Sequence, residues 1–174
     1  MNAEDFLKVI QSAMPDYEEL KEYGLEDREI IDIQSTFKFT RKIQDTNLKK
    51  SVSELERMIS EYDCSKIELG LIRFIKDSKQ LKNGVMCAYS EADLLIVNDD
   101  GSVSIYDHAE PNRITQNCAV DSSCFFDALA EFIDIRKHKL DWRGRIDEAA
   151  ERCGGIAGGS QYEKFYFSLL SFFE

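Results

Sequence analysis

Apolar residues recur along the N-terminal third of the chain at two different spacings, which distinguish helices from strands. Spacings of three and four residues predict helices over Ala3–Ala13 and Leu48–Tyr62, with a shorter helix over Asp16–Tyr23. Between the second and third of these helices, strict alternation of apolar and polar residues predicts a strand over Ile31–Phe39. This part of the chain is therefore predicted to run helix, helix, strand, helix.

The middle of the chain is predicted to consist mainly of short strands. Apolar runs indicate four of them, at Ile67–Ile75, Val85–Tyr89, Asp93–Val97 and Val103–Asp107. The segment Asn98–Gly101 joins the last two strands, and its Asn, Asp and Gly residues favour a tight turn because they tolerate positive φ. We therefore expect the last two strands to pair as a hairpin, followed by a loop.

Helices are predicted again in the C-terminal part of the chain. Asp121 supplies an N-cap for a helix with an inward apolar stripe over 125–133. Two more helices, Trp142–Arg152 and Gln161–Phe173, are predicted on either side of a glycine-rich connector at 154–159.

The order of these elements predicts an α+β fold, with a mostly antiparallel sheet of about five strands and helices packed on it. A chain of 174 residues can bury roughly 70% of the surface that its unfolded form exposes, so it needs no disulfide or metal for stability. We expect a single domain over residues 1–174, with a helical C-terminal tail that starts at about residue 141.

Acidic residues outnumber basic ones and are concentrated in two blocks. The chain has 33 Asp and Glu residues against 22 Lys and Arg, which gives a net charge of −11. Residues 87–134 have a balance of −9 with Arg113 as their only base, and residues 1–32 have −7, whereas residues 33–50 have +4. This distribution argues against nucleic-acid binding, which needs clustered cations. It favours either a directional field that attracts a cationic partner or an acidic coat that only keeps the protein dispersed.

Cysteine usage and hydropathy indicate a compartment. The chain has an odd number of cysteines and no Cys-x-x-Cys spacing, which favours reduced thiols and a cytoplasmic protein. The N-terminal residues do not resemble a signal peptide, and no apolar run approaches the roughly 18 residues of a membrane span. We therefore expect no contact with membranes.

The sequence offers few groups for catalysis or for binding a cofactor. Asp107 and His108 are adjacent at a predicted strand end, so their side chains are expected on opposite faces, which disfavours a carboxylate-oriented imidazole. The turn at 98–101 fails as a calcium loop because Ile96 stands where the first carboxylate ligand is required. The glycines at 154–159 follow a helix and lack the Lys-Ser/Thr ending of a phosphate-binding loop. We expect no catalytic residue, no metal site and no cofactor.

Two stretches of the sequence resemble the SUKH superfamily, which includes a eukaryotic cell-wall synthesis regulator and many bacterial immunity proteins. Residues 14–24, Met-Pro-Asp-Tyr-Glu-Glu-Leu-Lys-Glu-Tyr-Gly, are similar to the family's Leu-Pro-x-Asp-Tyr-x-x-Phe-Leu helix that ends at Asn-Gly. Residues 92–97 and 100–108 are similar to its paired strands and to its Tyr-Asp-His-type strand end. Residues 122–133 are similar to its Ser-Phe-x-x-Phe-Leu helix. The resemblance implies a SUKH-like arrangement of the α+β fold.

The resemblance also implies a function: a non-catalytic immunity protein that neutralises a toxin, often a basic nuclease, in the cell that makes it. An acidic surface fits such a partner, because opposite charge speeds encounter with a cationic cleft. The candidate partner-binding residues are the acids on or beside the predicted hairpin: Asp93, Asp99, Asp100, Asp107, Glu110 and Asp121.

Two alternatives remain open. The first is a regulatory scaffold or adaptor protein of the same fold, which could form homo-oligomers through the aromatic C-terminal helix at Gln161–Phe173. The second, the least favoured, is an enzyme that uses carboxylates such as Asp99, Asp107 and Glu110, since no nucleophile–base pair or metal-ligand set is recognisable.

Overall fold

The computed structural model describes residues 1–43, 53–138 and 141–172. Its helices are α1 (Ala3–Ser12), α2 (Tyr17–Glu22), α3 (Asp27–Ser35), α4 (Glu54–Glu61), α5 (Ser122–Lys137), α6 (Ile146–Ala157) and α7 (Glu163–Ser171), with a 3₁₀ turn at Ser160–Tyr162. Its strands are β1 (Thr40–Arg41), β2 (Tyr62–Asp63), β3 (Glu68–Leu69), β4 (Ile72–Leu81), β5 (Gly84–Ser90), β6 (Asp93–Asn98), β7 (Val103–Tyr106) and β8 (Ile114–Ala119). The predicted α+β class is confirmed.

Six strands, β3 to β8, form one curled sheet in which every neighbouring pair is antiparallel and follows sequence order. The expected number was about five, counting one strand over Ile67–Ile75 and the strand over Ile31–Phe39. The first of these is divided at residues 70–71 into β3 and the start of β4, and β8 lies in a segment predicted to be a loop. Its sequence, Ile-Thr-Gln-Asn-Cys-Ala, has little apolar alternation, and two register shifts interrupt its pairing with β7. The extended conformation of β8 therefore comes from pairing with β7 and not from a local pattern. A separate two-stranded sheet joins β1 to β2.

The strand predicted over Ile31–Phe39 is wrong, because α3 covers most of it. The alternation of apolar and polar residues in this segment also fits a helix, in which Ile30 is buried while Ile31 is 58% exposed. The helix also has a local start signal, since the Glu29 carboxylate accepts a hydrogen bond from the Glu26 backbone N–H at 2.8 Å. The helix predicted over Leu48–Tyr62 is confirmed from Glu54 by α4, and its first residues, 48–52, lie outside the described residues.

Helices α1, α4, α5, α6 and α7 enclose one apolar cluster on one face of the sheet, which extends from Ala3 in α1 to Leu170 in α7. The Phe6 and Phe126 rings stack with their centroids 4.3 Å apart and join α1 to α5. The predicted inward stripe of α5 is confirmed by the burial of its residues Phe125, Leu129, Phe132 and Ile133.

The other face of the sheet has a smaller apolar cluster of Met86, Ile96 and Tyr106. The curl of the sheet brings the β4–β5 turn to the β7–β8 loop, where the Asn83 amide donates a hydrogen bond to the Pro111 carbonyl at 3.1 Å. Both faces of the central strands are therefore covered, as the continuous apolar sequence of β6 requires.

The C-terminal tail contributes to the main core. Gly154 lies inside α6, which continues to Ala157, so the predicted connector at 154–159 is wrong for its first four residues. A Cβ atom on Gly154 would stand 2.9 Å from the backbone nitrogen of Glu163, so the glycine permits close packing of α6 against α7. The hydroxyl of Tyr166 donates a buried hydrogen bond to the Cys118 carbonyl at 3.1 Å, which ties α7 to β8.

Candidate functional site

The β6–β7 hairpin forms as predicted, with Leu94 opposite Tyr106 and Val97 opposite Val103. Because β6 runs from Asp93 to Asn98, its two ends are about 17 Å apart at the usual rise of a strand. The six candidate acids fall into two groups at these two ends of the hairpin. Three lie beside the β7–β8 loop, and three lie at or near the β6–β7 turn.

Asp107 is the most constrained acid of the loop group. One of its carboxylate oxygens accepts the backbone N–H groups of Ala109 and Glu110 at 2.7 and 3.2 Å, and the other pairs with the Arg113 guanidinium. The Arg113 hydrogen bond, followed by the hydrogen bond from Ala109, lowers the pKa of Asp107 to about 2. Arg113 also reaches Glu110 at 3.5 Å, so the only base of this acidic block is already used inside the loop.

Asp93 and His108 form the second contact of the same loop. The Asp93 carboxylate accepts the His108 backbone N–H at 3.1 Å and lies 2.8 Å from the ring Nδ1. The expectation that Asp107 and His108 point to opposite faces is wrong. Strand β7 ends at Tyr106, so the alternation of a strand no longer applies to these two residues, and the imidazole turns back to Asp93.

Asp93, Asp107 and His108 each place one possible ligand atom within 4.8 Å of the others. Oxygen and imidazole ligands of this kind suit divalent transition metals. In the structure these groups instead bind one another, backbone amides and Arg113. We therefore describe this arrangement as a loop clasp, defined by Asp93, Asp107, His108 and Arg113. The Nε2 atom of His108 has no hydrogen-bond partner among the described residues.

Asp99 and Asp100 form the turn group, and both are exposed. Asp100 accepts hydrogen bonds from the hydroxyl and the backbone N–H of Ser102 at 2.6 and 3.0 Å, which lower its pKa. Asp99 has no hydrogen-bond or ion-pair partner within 1–43, 53–138 and 141–172. The Asn98 side-chain oxygen accepts a hydrogen bond from the Tyr106 hydroxyl at 2.8 Å. This oxygen, which would be a ligand in a calcium loop, therefore links β6 to β7 instead.

The two remaining candidates differ in what holds them. Asp121 is exposed and caps α5, with its carboxylate accepting the Cys124 backbone N–H at 2.7 Å. It lies at the turn end of the sheet, because Ala119 pairs with Val103. Glu110 is exposed on the β7–β8 loop. The outward charge of the hairpin region is therefore on Asp99, Asp100, Glu110 and Asp121, whereas half-buried Asp93 and Asp107 hold the loop.

Four of the five thiols are buried, whereas the second histidine, His138, is exposed at the end of α5. Burial raises the pKa of Cys64 and of Cys153 to about 12, and it raises the pKa of Cys87 and Cys118 as well. These thiols are therefore protonated at neutral pH and are poor nucleophiles. The ring Nδ1 of His138 lies 3.0 Å from the Asp134 carbonyl at the end of α5.

A groove that the sequence analysis missed opens beside α2, with a volume of about 980 Å³. We call it the α2–α5 groove: it is bounded by the end of α1, by α2, by α3 and the residues after it, by the β3–β4 turn, by the end of α5 and by Phe172 after α7. Its apolar lining includes Met14, Leu20, Tyr23, Phe37, Leu69 and Phe132. These residues are far apart in sequence, and although Met14, Leu20 and Tyr23 lie in the motif at 14–24 and Phe132 in the stripe over 125–133, no sequence signal placed them together.

The C-terminal helix is mainly a core element. Phe165, Tyr166, Leu169 and Leu170 are buried, whereas Phe167 is 42% exposed and Phe172 is 57% exposed. Most of the apolar surface of α7 is therefore covered by its own chain, and within the described residues two exposed rings remain for the expected oligomer, of which Phe172 follows the helix.

None of the helices in the described parts of the chain is long and apolar enough to cross a membrane. In comparisons with known proteins, no family model, no curated protein and no solved structure matches this chain.

Proposed function

We propose that this chain is a non-catalytic binding protein that neutralises a basic toxin domain in the cytoplasm of the cell that makes it. The proposal joins the resemblance to the SUKH superfamily with one structural observation. That observation is the adjacent carboxylates of Asp99 and Asp100, which project from a hydrogen-bonded turn between two core strands. Acidic groups held in place in this way lose little freedom when a cationic partner binds.

The charge that surrounds the turn supports the same proposal. Asp121 and Glu110 add exposed carboxylates. Arg113, the one base among residues 87–134, pairs with Asp107 and Glu110 in the β7–β8 loop. Complementary charge of this kind raises the rate of association and selects the partner. The buried, protonated thiols of Cys64 and Cys153 are poor candidates for a covalent nucleophile.

The test begins with the neighbouring genes. The proposal predicts that the gene for this chain lies beside a gene for a large secreted protein with a toxic C-terminal domain. We expect that purified domain to bind this chain with an association rate that falls as salt rises from 50 to 300 mM. The double variant Asp99→Asn with Asp100→Asn should lower the association rate at 50 mM NaCl by about tenfold.

A matched control removes the same charge elsewhere. Asp147 and Glu151 are exposed on α6, away from the hairpin, and the double variant Asp147→Asn with Glu151→Gln should change the association rate less than about twofold. An association rate that does not depend on salt, or that falls equally in both double variants, would show that the hairpin acids are not the binding site.

A further inference from the structure

We propose that the α2–α5 groove binds a basic amphipathic helix of a partner protein, at a site separate from the hairpin. The groove is open to solvent along one side, and its volume of about 980 Å³ is at the upper end of the range for small-molecule sites. An open apolar channel between helices suits a helix that presents residues at i, i+3, i+4 and i+7.

Part of the apolar lining of the groove is exposed, although Leu69, Phe132 and Ile133 at its base are buried. Met14 is 41% exposed and Tyr23 is 77% exposed, and both line the groove with the more buried Leu20 between them in sequence. Contiguous exposed apolar surface with a polar rim is typical of a binding site. A partner's apolar face would cover these side chains.

The charged residues that line the groove indicate which charge a bound helix would carry. The carboxylates of Glu19 and Glu68 line it and have no hydrogen-bond or ion-pair partner among the described residues. The lining has three other charged residues: Asp16, whose carboxylate caps α2, and Arg136 and Lys137 on the opposite wall, where the Lys137 ammonium donates to the Ser12 carbonyl at 2.8 Å.

Residues 14–32 as a whole have eight acids and two bases. The lining itself has three acids against two bases, and its negative charge lies beside apolar surface on the walls formed by α2 and β3. The complement of that surface is a helix with leucine-like residues on one face and Lys or Arg on its flanks.

The experiment uses the full chain and three labelled peptides of 14 residues, which form helices about 21 Å long. The first has leucines at helical spacing and lysines elsewhere, the second replaces each lysine with glutamate, and the third replaces each leucine with serine. Fluorescence anisotropy measures their affinities. We expect saturable 1:1 binding of the Leu/Lys peptide, with at least about tenfold weaker binding of the other two.

Two pairs of exposed-site variants locate the binding. Glu19→Lys should weaken binding of the Leu/Lys peptide by about tenfold, whereas Glu22→Lys, the same change on α2 outside the groove lining, should change it less than about threefold. Tyr23→Ala should weaken binding by about fivefold, and Ile31→Ala, which also removes an exposed apolar side chain outside the lining, should have no effect.

The inference is overturned by any of three results: comparable binding of the Leu/Glu or Ser/Lys peptide, equal losses in the two members of either variant pair, or no saturable binding of the Leu/Lys peptide. It is also separable from the proposed function. The double variant Asp99→Asn with Asp100→Asn should leave the affinity for the Leu/Lys peptide within about twofold of the original.

Discussion

At the scale of single residues, the acids of the hairpin have different tasks although the sequence presents them alike. Asp107 accepts two backbone amides and pairs with Arg113, and Asp93 holds His108, so these two carboxylates fix the β7–β8 loop. Asp99 has no such partner within the described residues. The hydrogen bonds and ion pairs around each acid, and not its residue type, therefore decide whether it holds the loop or is available to a partner.

The first residue-scale prediction concerns the pKa of Asp107. Its value of about 2 lies below the ordinary 3.8, so the folded state binds this proton less readily than the unfolded state. The stabilisation from this carboxylate is therefore complete above about pH 4 and is lost as the pH falls towards 2. Carboxyl NMR titration of Arg113→Gln, over the pH range in which the protein stays folded, should show the Asp107 pKa raised.

Asp100 is the internal control for that titration. Its pKa is lowered by Ser102 and not by Arg113, so the variant should leave it unchanged. An Asp107 pKa near 3.8 in the unmodified protein would show that the clasp does not form in solution.

A second residue-scale prediction concerns the thiols. Because burial keeps four cysteines protonated, a thiol reagent at pH 8 should modify only the half-buried Cys124 before the protein unfolds. In urea, all five should react. The variant Cys124→Ser should therefore leave almost no prompt reaction, and prompt modification of two or more thiols in the folded protein would contradict the predicted burial.

At the scale of elements, close backbone approaches decide which positions accept a side chain. Gly84 begins β5 with φ of +139°, and a Cβ atom there would stand 2.0 Å from the Val97 carbonyl oxygen. Gly101 in the β6–β7 turn has φ of +90°, but nothing lies within 4 Å of its Cβ position. Gly84 is therefore required for steric reasons as well as for its φ, whereas Gly101 is required only for its φ.

The corresponding prediction compares two alanine variants by urea unfolding. Gly84→Ala should lower the free energy of unfolding by about 3 kcal/mol or more, because it adds a clash to an unfavourable φ. Gly101→Ala should lower it by only about 1–2 kcal/mol, the cost of the positive φ alone. Equal losses would mean that β5 and β6 do not approach as closely at Gly84 as the structure shows.

Individual elements show which features the sequence could predict. The β6–β7 hairpin and the α5 N-cap followed from short-range signals at Asn98–Gly101 and Asp121, and both are confirmed. The strand predicted over α3 failed because alternating apolar residues also fit a helix with one exposed isoleucine, Ile31. Strand β8 was missed because its pairing with β7, a long-range interaction, decides its conformation.

At the scale of the whole molecule, negative charge is presented in two places. One is the hairpin region, where the sequence located the acids but not their division into two groups about 17 Å apart, since that division depends on strand register. The other is the α2–α5 groove, which only the folded chain assembles. Both surfaces suit cationic protein partners, and neither requires a bond to be made or broken.

The most direct test of that central claim is the stoichiometry with which the chain neutralises the toxic domain that the proposed function places in a neighbouring gene. In a titration of the domain's activity, a binding protein gives a linear loss that ends at one chain per domain, with full activity recovered when the complex is dissociated. This is the predicted result. Neutralisation by a small fraction of an equivalent, or a loss of activity that persists after separation, would show that the chain acts by catalysis and would contradict the account.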